Sequence, residues 1–162
     1  MGKPIIQQPG IIKVAIVWFF IGILNIYVAY QGISNDVGSW SLISDPLTNE
    51  WFRIVIPIGL GLSVAILIAA LIQLISIPGL AKGKSWPIKL ALGAPIAIAI
   101  FNFVIGALYA SAPSEYFELA RSRIIWASLI GVFQIFAVFI FWKYLNRPEG
   151  KFFRKMMNQK SA

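Results

Sequence analysis

The sequence predicts an all-α integral membrane four-helix bundle, arranged as two tandem helical hairpins if an internal repeat is real. Three observations carry this expectation. Of the 162 residues, 59% are hydrophobic and 12% charged, and the apolar residues fall in unbroken runs instead of at half-buried spacing. A hydrocarbon core of roughly 30 Å needs about 20 apolar residues in helical form, and four runs qualify: approximately Ile11–Gln31, Ile54–Ile77, Pro87–Ala110 and Ile124–Tyr144. Little chain lies outside them, so residues 1–145 read as one domain and 146–162 as a basic tail.

The first run is longer than a signal-peptide core and ends YVAYQG, without a small-x-small cleavage pair, so it reads as a retained anchor. The connection after it, GISNDVGSWSLISDPLTNE, reads as the long outer loop. Its Asp36 and Asp45 lack the dense oxygen-ligand spacing of a calcium loop, and Trp40, Leu42 and Ile43 suit contact with a partner or the interface. The second run carries Gly61, Ala65 and Ala69 four apart, leading to Gln73. The third carries Gly93 and Ala97, and the fourth Ala127 and Gly131. Spacing of four puts small residues on one helix face, where backbones approach closely. Pro95 lies inside the third run, removes one amide donor and predicts a kink near Ala91–Pro95.

Orientation follows from charge. Lys3, Lys13, Lys82, Lys84, Lys89, Lys143, Arg147, Lys151, Arg154, Lys155 and Lys160 flank one side of the spans, and only Arg53, Arg121 and Arg123 the other. Lys and Arg beside spans stay on the cytoplasmic side, so both termini are expected in the cytoplasm. The acids sort oppositely, Glu149 excepted. The net charge of +8 is then a topology signal, and nucleic acid is not an expected partner. Tyr30, Trp51, Tyr109, Tyr116 and Trp126 belong at the outer boundary, and Trp86, Trp142 and Tyr144 at the inner one. Trp18 sits well inside a helix, where core packing is expected.

Two hairpins share a pattern. SDPLTNEWF (Ser44–Phe52) and SAPSEYF (Ser111–Phe117) both read Ser-x-Pro, then Glu, an aromatic and Phe. Lys13 and Asn25 match Lys89 and Asn102 at near-equal spacing. This reads either as two copies of one unit related by an axis along the membrane normal or as the default likeness of apolar helices. Locally, Pro46 and Pro113 stop a helix, the preceding Ser supplies a turn or cap, and Glu50 and Glu115 meet the positive end of the next helix.

Chemistry is constrained mainly by what is missing. With no Cys and no His, thiolate zinc sites, His or Cys haem ligation, thiol nucleophiles and imidazole bases are excluded. No catalytic, cofactor-binding or metal residue is assigned, and no enzyme activity is expected. No Asp, Glu, Arg or Lys falls at mid-depth, which argues against ion pumping. Each span does carry one amide: Asn25, Gln73, Asn102 and Gln134. Asn25 and Asn102 lie about 20 Å from the inner helix ends and form either bundle-stabilising hydrogen bonds, roughly 0.6–2 kcal/mol each, or a polar seat for a headgroup.

The tail EGKFFRKMMNQK puts Phe152 and Phe153 on one helical face and Lys151, Arg154 and Lys155 elsewhere. It reads either as an interfacial helix drawn to anionic lipids or as a positive terminus that enforces topology. The expected function is a non-catalytic accessory or structural subunit of a larger membrane complex, with other integral membrane subunits and membrane lipids as partners. A small transporter or lipid-binding carrier with a polar site near Asn25 and Asn102 is the alternative.

Overall fold

Four long helices, joined in sequence and packed antiparallel to their chain neighbours, make up the protein in a computed structural model that describes residues 9–44, 49–81 and 86–145. They are α1 (Pro9–Gly38), α3 (Glu50–Ala81), α4 (Trp86–Ala110) and α5 (Phe117–Leu145). A short α2 (Ser41–Ser44) and a 3-10 turn (Ser114–Tyr116) lie in the two connections at one end. We call this the hairpin end and the opposite one the terminal end. All four long helices are long and apolar enough to cross a membrane. The tail residues Lys151, Phe152, Phe153, Arg154 and Lys155, and the loop residues Asp45 and Pro46, fall outside the described residues.

Helix α1 has 30 residues and α3 has 32, about 45 and 48 Å of helix at 1.5 Å per residue. Both exceed the hydrocarbon thickness, so their ends extend into the headgroup region or the helices tilt. The extra length of α1 corrects the sequence expectation. The polar stretch GISNDVG does not open a loop but continues the helix to Gly38, because one face of it still has a neighbour. Asn25, Ala29 and Asp36 recur at helical spacing and are all buried, and Gly32 on the same face backs directly onto Ser63 of α3, whose Oγ would lie 2.5 Å from any added Cβ.

The start of α3 is capped locally. Asn49 accepts a hydrogen bond from the Trp51 backbone N–H at 2.9 Å, an N-cap contact worth about 1 kcal/mol. Glu50 lies in the first turn of α3. Pro113 begins the 3-10 turn with no side-chain cap. Ser111, two residues earlier, instead closes α4 by donating to the Leu108 carbonyl at 2.7 Å. The two connections meet through rings: Trp51 lies parallel to Tyr116 at 6.5 Å, Phe52 meets Tyr116 edge-on at 4.9 Å, and the Trp51 indole donates to Ser111 Oγ at 3.3 Å.

Helix α4 continues unbroken through Pro95. Proline has no N–H for the carbonyl four residues back, which here is Ala91. That carbonyl instead accepts a hydrogen bond from the Trp18 indole at 3.0 Å. Trp18, 3% exposed, also packs on Phe141 of α5 with ring centroids 4.8 Å apart. A single side chain thus supplies the donor that Pro95 removes and joins three helices at the terminal half of the core.

Candidate functional site

Backbone approaches are close between α1 and α3, α3 and α4, and α4 and α5. The fourth seam, α1 against α5, is held by side chains, and these define the site. At the terminal end the bridge is Trp18 on Phe141. Next comes a relay of amides: Gln134 Nε2 donates to Asn25 Oδ1 at 2.7 Å, Asn25 Nδ2 donates to Gln73 Oε1 at 3.0 Å, and Gln73 Nε2 donates to the Trp18 backbone carbonyl at 3.3 Å. All three amides are 0% exposed. Each N–H points the same way along the relay, so the bond dipoles reinforce one another in the low-dielectric interior.

At the hairpin end the bridge is ionic. Arg123 Nη2 of α5 lies 2.8 Å from Asp36 Oδ1 of α1. The Tyr109 hydroxyl of α4 donates to the same oxygen at 3.2 Å, and the Arg123 guanidinium stands 5.1 Å above the Tyr109 ring. Helix α3 completes the enclosure through Gly59, where an added Cβ would meet Asp36 Oδ2 at 3.2 Å. Asp36 is 1% exposed. The sequence places it in the outer loop, without the ligand spacing of a calcium site; it is instead a buried partner of arginine inside a helix.

Between the amide relay and the ion pair the α1/α5 seam opens into a cleft of about 580 Å³. Asn25 to Asp36 and Gln134 to Arg123 each span three turns, so the window is about 16 Å high. Leu24, Tyr27 and Trp126 line it and are exposed on the apolar surface, so it opens sideways toward the hydrocarbon. Its rim is polar, with Gln31, Asn35, Ser122 and Arg123, and its floor carries Ser63 and Asn102 among Ile66, Ile105 and Ala127. Gln31 donates to the Tyr27 hydroxyl at 3.2 Å.

Asn102 is separate from the relay. It is 3% exposed, and its Nδ2 donates to the Ile98 carbonyl of its own helix at 2.8 Å. Of the four intramembrane amides, the structure therefore joins Asn25, Gln73 and Gln134 and leaves Asn102 facing the cleft. Among the small residues, Ala69 and Ala127 are buried in the core. Gly131 meets Phe103, whose ring atoms would stand 2.9 Å from an added Cβ. Ala65 and Ala97 are half-buried. Gly61 and Gly93 lie on exposed surface with no atom within 4 Å of a Cβ position; close approach in α3 and α4 runs instead through residues such as Ala70 and Ala91, both 0% exposed.

The ion pair is what sequence reasoning missed. Its signal was the series Trp18, Asn25, Ala29, Gly32, Asp36, which keeps one helical face well past the apolar run. Comparison with protein-family models, with curated proteins and with solved structures gives no match for this chain.

Proposed function

We propose that the protein is a non-catalytic accessory subunit of a larger membrane complex, such as a respiratory or other redox assembly, with both termini in the cytoplasm. The observation that carries this reading is the amide relay: Asn25, Gln73 and Gln134 bond to one another and to the Trp18 carbonyl, so these deep amides are spent mainly on tying α1, α3 and α5 together, with Gln134 Oε1 left without a partner among the described residues. What the chain offers outward is wide apolar surface, including Phe20, Ile75, Leu119 and Phe136, each well exposed. The flanking Lys and Arg residues support the orientation. The parallel stack of Trp51 on Tyr116, which occupy matching places in the two Ser-x-Pro turns, supports the reading of two related hairpins. Anionic lipids are the proposed partner of the basic tail.

Extraction from native membranes in mild detergent, followed by native mass analysis and identification of every co-purifying chain, tests the proposal. A stoichiometric hetero-complex is the expected result. A lone chain or homo-oligomer, under conditions where other membrane complexes survive, overturns it. A second reading, a small lipid carrier, draws on the cleft that reaches Asn102.

A further inference from the structure

We infer that the α1/α5 cleft is a binding site for the head of an uncharged, single-chain amphiphile bearing hydroxyl groups, whose chain leaves sideways into the bilayer between Tyr27 and Trp126. This goes beyond assembly and requires no transport: the site stands whether or not the chain has protein partners.

Size is the first argument. At about 30 Å³ per water-sized non-hydrogen atom, 580 Å³ holds roughly 20 such atoms, a small head and the start of a chain. It lies within the roughly 300–1,000 Å³ of small-molecule sites. Shape is the second. A partner transmembrane helix would need the seam open along its whole length. Here it is closed toward the terminal end by the Gln134–Asn25 bond and the Trp18–Phe141 contact, and toward the hairpin end by Arg123 on Asp36.

Charge is the third. The one cation on the rim, Arg123, is already neutralised by Asp36 at 2.8 Å, and the other polar lining groups are uncharged. An anionic head would find in the lining only a cation already paired with Asp36, so a phosphate or fatty-acid carboxylate is disfavoured. Hydrogen-bonding capacity is the fourth. Asn102, 3% exposed, lines the floor and bonds to its own helix through Nδ2. Its carbonyl oxygen takes no part in that bond, and a ligand hydroxyl would supply it a donor. Gln31, Asn35 and Ser122 offer both donors and acceptors at the rim.

The test uses the full-length chain in phosphatidylcholine liposomes and a monoacylglycerol carrying a photoactivatable diazirine next to the head. Expected is saturable labelling confined to residues 24–35 and 122–130, displaced by unlabelled monoacylglycerol and reduced at least tenfold by Val28→Trp, which fills the cleft. Asn102→Leu, a milder change, should weaken labelling severalfold while leaving the unfolding transition near wild type, and it serves if Val28→Trp fails to fold. Labelling spread over all four helices without saturation overturns the site. Displacement by oleate or phosphatidylglycerol more strongly than by monoacylglycerol overturns the uncharged head, and unchanged labelling in Asn102→Leu overturns the role of the floor amide.

Discussion

The two bridges that flank the cleft use opposite chemistry for the same task. Toward the terminal end, α5 reaches α1 through neutral amides, Gln134 to Asn25; toward the hairpin end it does so through a charge pair, Arg123 to Asp36. Depth explains the division. The amides lie near the middle of helices that cross the hydrocarbon, where an ionised side chain is expensive. Asp36 lies two residues from the end of α1 and Arg123 in the second turn of α5, where headgroups and water reduce that cost. The bridges should therefore fail differently: losing half of the ion pair strands a buried charge, whereas losing one amide leaves neutral groups that can find other partners.

The largest effect follows from the charged bridge. Arg123→Met leaves Asp36 buried without its cation, and removing one partner of a buried pair costs about 3–5 kcal/mol. Equilibrium unfolding in mixed detergent micelles should show this loss. The double variant Asp36→Leu with Arg123→Met should recover most of it, since apolar replacement of both partners is close to neutral. A double variant as unstable as the single one would mean that the pair specifies the fold beyond its own charge balance.

Next in size is the donor that compensates for Pro95. Trp18→Phe keeps most of the ring packing on Phe141 but removes the N–H given to Ala91, and an unsatisfied buried carbonyl costs about 1–3 kcal/mol. In a Pro95→Ala background the restored backbone N–H can serve Ala91, so the same substitution should cost clearly less. Additive effects in that cycle would remove the link between tryptophan and proline.

These contrasts also show what the sequence could convey. The four spans were legible because unbroken apolar runs of helical length admit few other structures, and Trp18 was legible as a core residue because an indole so far from either interface needs an internal partner. That each span carries one amide was visible, but which amides meet was not. Asn102 shares a depth with Asn25 and yet turns to its own helix, a choice made by helix rotation, which apolar composition does not encode. Asp36 was hidden because Gly, Ser, Asn and Asp favour turns; the tertiary contact of α1 with Gly59 and Ser63 of α3 overrides that preference. Gly61 and Gly93 carry a related lesson. Spacing of four selects a face, but in a helix apolar all round it does not say which face turns inward.

The smaller effects come from the neutral bridge and test the comparison most closely. Asn25 is central to the relay, giving one hydrogen bond and accepting another, whereas Asn102 donates only to its own helix. Interhelical hydrogen bonds in membranes are worth about 0.6–1.7 kcal/mol each. Asn25→Leu should therefore destabilise unfolding in the same micelles by about 1–2 kcal/mol, and Asn102→Leu by less than about 0.5 kcal/mol, since no contact between helices is lost. If the two substitutions cost the same, depth alone governs the price of a buried amide and the relay contributes nothing special. If Asn25→Leu costs as much as Arg123→Met, the relay's aligned dipoles act as a unit, and the contrast between a charged and a neutral bridge falls away.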